Sequence, residues 1–229
     1  MSIEIYMDYL SQPARAVLAL CKIGKITTKI TEKRIFKGEH QDKDIVKLNP
    51  LWTLPFIIDH DNNDFRLTES HAIMRYLLNT RSMNFNDNIY PNDPTKSAKI
   101  EEYLDWHHTN TRKTAFYILS IRAPNVDIIS LYKKDKLETD FIDSLLTINH
   151  YFLKDDKFIG GMDDMSIADL SAYFELLQLL LIDFDFSPYP RICTWMKKMM
   201  NVKEVEEANK EFMAMLPKIL KKKEIKPRF

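Results

Sequence analysis

Two different hydrophobic periods follow one another at the start of the chain. Residues 3–7 alternate apolar and polar side chains, and this period of two predicts a β-strand. Residues 14–21 repeat apolar side chains at three- and four-residue spacing, which predicts a helix that Pro13 opens and Gly24 ends. Ser11 therefore lies at or just before a helix N-terminus, where free N–H groups and the helix dipole favour negative charge. On this segment alone, a simple N-cap serine is the commoner interpretation.

The same patterns predict a series of short elements that ends near residue 81. Strands are predicted over 27–35, 54–59 and 65–67, and helices over 42–48 and from Thr68 or Glu69 to Leu78. Strands that a helix links should pair in parallel, and the hairpin around residues 61–64 should pair antiparallel.

Helical periods take over in the second half of the chain. Residues 82–94 read as a polar, turn-rich linker, and apolar side chains then recur at helical spacing over 98–121, 137–152, 167–181 and 192–200. We therefore expect two domains, 1–81 and 95–229, joined by the linker 82–94. Ser166 and Asp169 have the spacing of a capping box, and the basic end, 218–228, is typical of a solvated tail or a helix end.

Composition and charge exclude several classes of protein. The 229 residues are 45% apolar, and 33 basic residues balance 33 acidic ones, so nothing points to nucleic acid. Glu4 and Asp8 interrupt any signal sequence, and the longest apolar run, 176–182, is too short for a membrane span. We expect a reduced, cytoplasmic protein in which Cys21, on the apolar face of the first helix, is inert.

The sequence predicts no metal site. His107 and His108 are adjacent, so a helix would direct their side chains about 100° apart, which suits no shared metal ion. The two cysteines, Cys21 and Cys193, form no paired metal-binding motif.

Six short motifs, in order along the chain, resemble the theta class of the cytosolic glutathione transferases. They are YLSQPAR at 9–15, KGEH at 37–40, NP at 49–50 with LP at 54–55, LTES at 67–70, EYLDWHHT at 102–109 and SIADL at 166–170. Each motif is weak alone, but all of them in order, spread across most of the chain, are a strong signal. The resemblance implies an α/β thioredoxin-like N-terminal domain followed by an all-α C-terminal helical domain, and glutathione as co-substrate.

The resemblance implies that Ser11 is the catalytic residue. A free thiol with a pKa of about 8.5 is only a few per cent thiolate at pH 7, and thiolate is the nucleophile. Lowering that pKa by two units needs about 2.7 kcal/mol of preferential thiolate binding, much of which a serine hydroxyl near a helix N-terminus can supply. Arg112 would add positive charge further along the helix that begins near residue 98. Tyr6 is the competitor, since other classes use a tyrosine there, although a packed strand aromatic is the favoured interpretation.

The glutathione-binding residues follow from the same resemblance. Their expected contacts are with the glycine carboxylate, the cysteine backbone and the γ-glutamyl group, and they are His40, Gln41, Thr53, Leu54, Pro55, Glu69, Ser70 and Thr109. The Leu54–Pro55 peptide bond should be cis. Trp52 and Thr53 stand where relatives usually carry a lysine, which weakens the cationic end of this site.

The electrophile should bind between the two halves as a small apolar molecule, such as a halide or an activated ester. Candidates for its wall, each equally compatible with a core position, are Tyr9, Leu10, Tyr103, Phe116 and Tyr117. The resemblance also implies a homodimer. The rival hypothesis is a non-catalytic glutathione-transferase-like module for binding or assembly, which the departure at Trp52 mildly favours.

Overall fold

The computed structural model describes residues 3–125, 134–221 and 227–229, which form two units. The first unit consists of the described residues of Met1–Asn86 together with Glu204–Phe212. The second consists of the described residues of Asp87–Lys203 and Met213–Phe229. The domain limits expected from the sequence, 1–81 and 95–229 with the linker 82–94, stay predictions. Within the described ranges, no helix has the length and apolar character that a membrane crossing needs.

The first unit is built on a four-stranded mixed sheet. Its strands are β1 (Ile3–Met7), β2 (Thr28–Glu32), β3 (Phe56–Asp59) and β4 (Phe65–Thr68), in the spatial order β2-β1-β3-β4. The parallel pairing of β1 with β2 and the antiparallel hairpin of β3 with β4 are confirmed. The expectation of parallel pairing was wrong for β3, which lies antiparallel to β1 although a helix links it to β2.

Three helices accompany this sheet: α1 (Gln12–Ile23), α2 (Lys43–Leu48) and α3 (Ser70–Thr80). Short 3₁₀ turns occupy Ile35–Lys37, Glu39–Gln41 and Ser82–Asn84. The predicted strand over 27–35 was therefore too long at its C-terminal end, because the chain turns at Ile35. Apolar residues of β1, α1, β3 and α3 are fully buried and form the core, among them Ile5, Val17, Ile57 and Leu77.

Arg15 explains why a late segment of the chain belongs to this unit. The arginine is completely buried in α1, its Nη1 donates to Asn209 Oδ1 at 2.9 Å, and its guanidinium lies 3.7 Å from the centre of the Phe212 ring. A buried guanidinium needs such hydrogen-bonding and aromatic contacts because it cannot lose its charge. The helix that carries Asn209 and Phe212 is thereby held against α1.

The second unit is helical. Its helices are α4 (Pro94–Thr109), α5 (Lys113–Arg122), α6 (Lys134–Thr147), α7 (Ile167–Leu177) and α8 (Pro190–Met200). The last helix, α9 (Lys203–Leu220), is shared: its residues Glu204–Phe212 belong to the first unit and the rest to the second. A π turn follows α6 at Ile148–Phe152, and a 3₁₀ segment follows α7 at Gln178–Ile182. The predicted continuous helix over 98–121 was wrong, because the chain breaks at residues 110–112. Residues 222–226 of the predicted basic tail lie outside the described residues.

The predicted capping box at the start of α7 is confirmed. The Ser166 hydroxyl accepts from Ala168 N at 3.2 Å, and Asp169 accepts back from Ser166 N at 2.9 Å. Asp169 also accepts from Ile159 N and Trp195 Nε1, both at 2.9 Å. Burial raises the pKa of Asp169 to about 6 against the opposing effect of these hydrogen bonds, so the carboxyl group is still mostly ionised at pH 7.

We expect Asp169→Asn to destabilise the protein by about 2–4 kcal/mol, because the amide would turn donors toward groups that already donate. Urea unfolding measures the loss. Asp105→Asn is the matched control on an exposed site of α4 and should change stability by less than about 0.5 kcal/mol. Equal stability of the two variants would contradict a structural role for the Asp169 carboxylate.

Candidate functional site

The register of the sheet gathers four chain segments at one edge. Tyr6 pairs with Phe56, and Phe56 pairs in turn with Thr68. The end of β1, the start of β3 and the end of β4 therefore share one edge. The parallel partner β2 ends there too, since Met7 pairs with Glu32. The segments that follow β1, β2 and β4 and the segment that precedes β3 contain every site residue predicted in the first unit.

The turn between β1 and α1 is held by a buried aspartate. Asp8 is only 3% exposed; its Oδ1 accepts from Leu10 N at 2.8 Å and its Oδ2 accepts from Ile35 N at 2.7 Å. One carboxylate thus fixes the residues that precede Ser11 and the start of the loop after β2. Sequence reasoning did not single out Asp8, although an aspartate whose side chain accepts from the backbone N–H two residues further on is a known turn signal.

Ser11 occupies the N-cap position of α1 but does not cap it with its side chain. Its backbone N donates to Asp8 O at 2.9 Å, while its Oγ donates to Leu54 O at 3.5 Å. That second contact is at the outer limit of a hydrogen bond, so the hydroxyl can turn to a better acceptor at little cost. The simple N-cap interpretation therefore does not account for this side chain.

The peptide bond between Leu54 and Pro55 is cis, as predicted. The segment before it is fixed by Asn49, which is 1% exposed: its Nδ2 donates to Thr53 O at 2.7 Å and its Oδ1 accepts from Leu51 N at 3.0 Å. The side chain of Thr53 remains exposed. Backbone groups next to the proline are thus positioned by a buried amide.

Glu69 and Ser70 lie where β4 passes into α3. Glu69 has a φ of 65° and a ψ of 111°, a strained conformation for a residue with a side chain, and such conformations concentrate at functional sites. Ser70 is the first residue of α3, so its backbone N–H is among those that have no partner within the helix. The pair combines an exposed carboxylate with the start of an eleven-residue helix.

His40 and Gln41 lie in the turn Glu39–Gln41. Arg34 donates to the Glu39 carboxylate through its backbone N at 2.8 Å and its Nε at 2.9 Å, and these hydrogen bonds lower the pKa of Glu39 to about 2. The half-buried His40 has its Nδ1 shielded from solvent, with no hydrogen-bond partner among the described residues. Gln41 is exposed.

Tyr6 behaves as the packed strand aromatic that the alternation predicts. Its ring stacks on Phe56 with 4.3 Å between centroids and 12° between planes. Burial, followed by the nearby Glu4 carboxylate, raises the pKa of Tyr6, which makes its hydroxyl a weaker acid than usual.

Thr109 and Arg112 lie in the second unit. Thr109 is the exposed last residue of α4. Arg112 lies in the break before α5, so the expectation that it lies further along the helix that begins near residue 98 was wrong. Arg112 Nη1 donates to Glu175 Oε2 at 3.0 Å. Sequence reasoning missed Glu175, whose signal was a single acid in the otherwise uncharged run 170–182.

One of the five candidates for the electrophile wall is a core residue. Tyr103 is completely buried, its hydroxyl contacts Thr111 Oγ1 at 3.1 Å, and its ring packs edge-on against Phe152. Tyr103 therefore takes the core alternative that the sequence left open, because a side chain with no exposed surface cannot line an open pocket.

The other four candidates keep some exposed surface. Tyr9 and Leu10 are half-buried in the turn before Ser11. Phe116 and Tyr117 are half-buried on α5, and the Tyr117 ring stacks on Phe141 with 4.5 Å between centroids. These four assignments stay predictions.

The described residues offer no group of three or more His, Cys, Asp or Glu side chains that could hold a metal ion. Cys21 is fully buried, and burial raises its pKa to about 12, so its thiol is protonated and unreactive at neutral pH. Thiol chemistry in this unit therefore needs a thiol from a ligand.

Comparisons with known proteins agree with one another. Residues 10–80 match the family model of the glutathione S-transferase N-terminal domain. Human glutathione S-transferase theta-2 is 31% identical over 229 residues, which covers 97% of this chain and 91% of the relative. The structure of a human theta-class glutathione transferase in complex with the glutathione conjugate of 1-menaphthyl sulfate matches with a TM-score of 0.82 and 28% identity, over 100% of this chain and 95% of that one.

A plant relative is much longer than this chain. Arabidopsis thaliana glutathione S-transferase T2 is 37% identical over 207 residues, which is 86% of this chain but only 34% of the relative. The chain thus spans about a third of the length of that protein.

We expect Asp8→Ala to lower stability by about 1–3 kcal/mol, because two backbone N–H groups would lose their buried acceptor. Hydrogen exchange should accelerate at the amides of Leu10 and Ile35, and urea unfolding should give the loss of stability. Asp8→Asn keeps one acceptor oxygen and should have a milder effect. Unchanged exchange at both amides in Asp8→Ala would contradict the anchoring role.

Proposed function

The chain belongs to the theta class of the glutathione S-transferases, and we propose that it transfers the glutathione thiolate to small apolar electrophiles. The observation that carries this proposal is the position of the Ser11 hydroxyl. It lies at the start of α1, within 3.5 Å of Leu54 O in the cis Leu54–Pro55 segment. It also shares the sheet edge that leads into Glu69 and Ser70.

Ser11 activates the thiol in this proposal. The hydroxyl, which donates to Leu54 O only weakly at 3.5 Å, turns to donate to the sulfur of bound glutathione. A charge-assisted hydrogen bond and the N-terminal end of the α1 dipole both favour thiolate over thiol. The thiol proton leaves to solvent, the thiolate then attacks the electrophilic carbon to form the C–S bond of the thioether, and the leaving group departs with the electrons of the broken bond.

The remaining predicted residues bind the tripeptide. The exposed Glu69 carboxylate meets the γ-glutamyl ammonium, and Ser70 offers its N–H and hydroxyl to the γ-glutamyl carboxylate. Leu54 pairs through its backbone with the cysteine of glutathione, next to Pro55. The residues proposed to complete the binding site are His40 and Gln41 at the glycine carboxylate, Thr53 beside them, and Thr109.

Arg112 and the four remaining candidates for the electrophile wall contribute where the thiolate meets the electrophile in this proposal. The Arg112 guanidinium adds positive charge near the thiolate, and its permanent charge makes this contribution independent of pH in the working range. The electrophile contacts Tyr9, Leu10, Phe116 and Tyr117. We further propose that the protein works in the cytoplasm as a homodimer.

A non-catalytic binding module is the second candidate, and Trp52 is the observation that favours it. Trp52 replaces the expected lysine, is 54% exposed and has a φ of 57°. A neutral side chain there removes one attraction for the glycine carboxylate. Retention on glutathione-agarose without turnover of any electrophile would support this candidate over the transferase.

We expect Ser11→Ala to lower kcat by about 100-fold, because two units of thiol pKa correspond to about 2.7 kcal/mol. Glutathione binding, measured by calorimetry, should change less than threefold, and the ultraviolet signal of bound thiolate should shrink. Tyr6→Phe is the matched control: it keeps the ring on Phe56, and both readouts should stay near the wild type. Full activity in Ser11→Ala together with a loss in Tyr6→Phe would transfer the role to Tyr6.

Ser70→Ala should raise the Kd for glutathione by about ten- to hundredfold through the loss of one hydrogen bond to a charged group. The kcat at saturating glutathione should stay close to that of the wild type, because Ser70 binds the end of the tripeptide far from sulfur. Ser97→Ala removes a comparable serine from the first turn of α4 and should leave the Kd unchanged. An unaltered Kd in Ser70→Ala would remove this residue from the site.

A further inference from the structure

A chain of buried polar side chains leads to Arg112 through the second unit. Glu175 is 1% exposed, and its Oε2 lies 3.0 Å from Arg112 Nη1 and 3.7 Å from His107 Nε2. His107 is 5% exposed, and its Nδ1 lies 3.4 Å from the Tyr103 hydroxyl and 3.5 Å from Ser171 Oγ. The network thus begins in the core of the unit and ends at a partly exposed guanidinium.

The two ends of the Arg112–Glu175 pair differ in rigidity. Glu175 lies in α7, a helix whose eleven residues are all buried, and a side chain in such a packed helix has few alternative positions. Arg112 lies in the break between α4 and α5, and 37% of its side chain is exposed. An arginine in that setting would otherwise sample many rotamers, and ordering it costs conformational entropy.

The pair leaves part of the guanidinium for a ligand. Arginine has five N–H donors, and the contact with Glu175 involves Nη1. Because more than a third of the side chain is exposed, the outer donors can bind a further acceptor. The carboxylate thus fixes the direction of the guanidinium without covering it.

We propose that Glu175 is a positioning residue for Arg112 in the transferase reaction. The inference rests on the proposed function, because it gives Arg112 a role at the thiolate. The buried carboxylate limits the guanidinium to few orientations, and His107 Nε2 lies 3.7 Å from the same carboxylate oxygen, Glu175 Oε2. The hydrogen bond to the Glu175 carboxylate orders the Arg112 side chain before the substrate binds.

The test is a double-mutant cycle on turnover with one small electrophile and glutathione. Arg112→Ala and Glu175→Gln should each lower kcat by about tenfold with little change in the KM for glutathione. The double variant Arg112→Ala/Glu175→Gln should be no more than about twofold slower than either single variant, because both remove the same interaction. Glu206→Gln, an exposed glutamate on α9, is the matched control and should keep wild-type kcat.

Additive losses, about 100-fold in the double variant, would overturn the inference, since Glu175 would then act independently of Arg112. Wild-type kcat in Glu175→Gln would overturn it as well. Glu175→Asp keeps the charge but shortens the side chain; it should recover part of the lost kcat, and it replaces Glu175→Gln in the cycle if that variant does not fold.

Failure of the proposed function gives a different result. If Ser11→Ala loses activity while Glu175→Gln does not, the transferase function stands and only the positioning role falls. If the wild-type chain shows no glutathione-dependent turnover, both proposals fall together.

Discussion

The row of paired residues Tyr6, Phe56 and Thr68 is the constraint on which the candidate site depends. Three strands are tied by this row, so the turn that contains Ser11, the cis Leu54–Pro55 bond and the start of α3 all follow from one edge of the sheet. A shift of one residue in any pairing would turn every side chain of that strand to the opposite face. The apolar face of β1, formed by Ile3, Ile5 and Met7, opposes such a shift, because a shift would move Ile5 out of the core.

Buried acceptors then give the edge its detailed shape. Asp8 and Asn49 are almost inaccessible, yet their side chains bind the backbone of the turns before Ser11 and Leu54. Glu175 does the equivalent for the side chain of Arg112 in the second unit. In each case the buried polar group has hydrogen-bond partners, as burial requires, and a segment outside the regular helices and strands gains a defined conformation.

Several features escaped sequence reasoning for physical reasons. Helix α9 has buried residues at helical spacing, including Val205, Ala208 and Phe212, but numerous lysines and glutamates between them hide the period. The break at 110–112 lacks glycine and proline, the usual signals for the end of a helix. A tyrosine suits the wall of a pocket as well as a core position, and only the complete burial of Tyr103 in the structure distinguishes these two possibilities.

The sequence by itself determined the class, the motifs and most of the elements of the first unit. The change of hydrophobic period at Ser11, the capping box at Ser166 and the cis bond at Pro55 were all predicted, because local periodicity, turn chemistry and family motifs are written in neighbouring residues. Only the tertiary structure decided the antiparallel place of β3 beside β1 and the pairing of Arg112 with Glu175. Residues 63 positions apart meet there because α7 packs within the same unit as α4 and α5, and no local pattern records which distant partner a side chain will find.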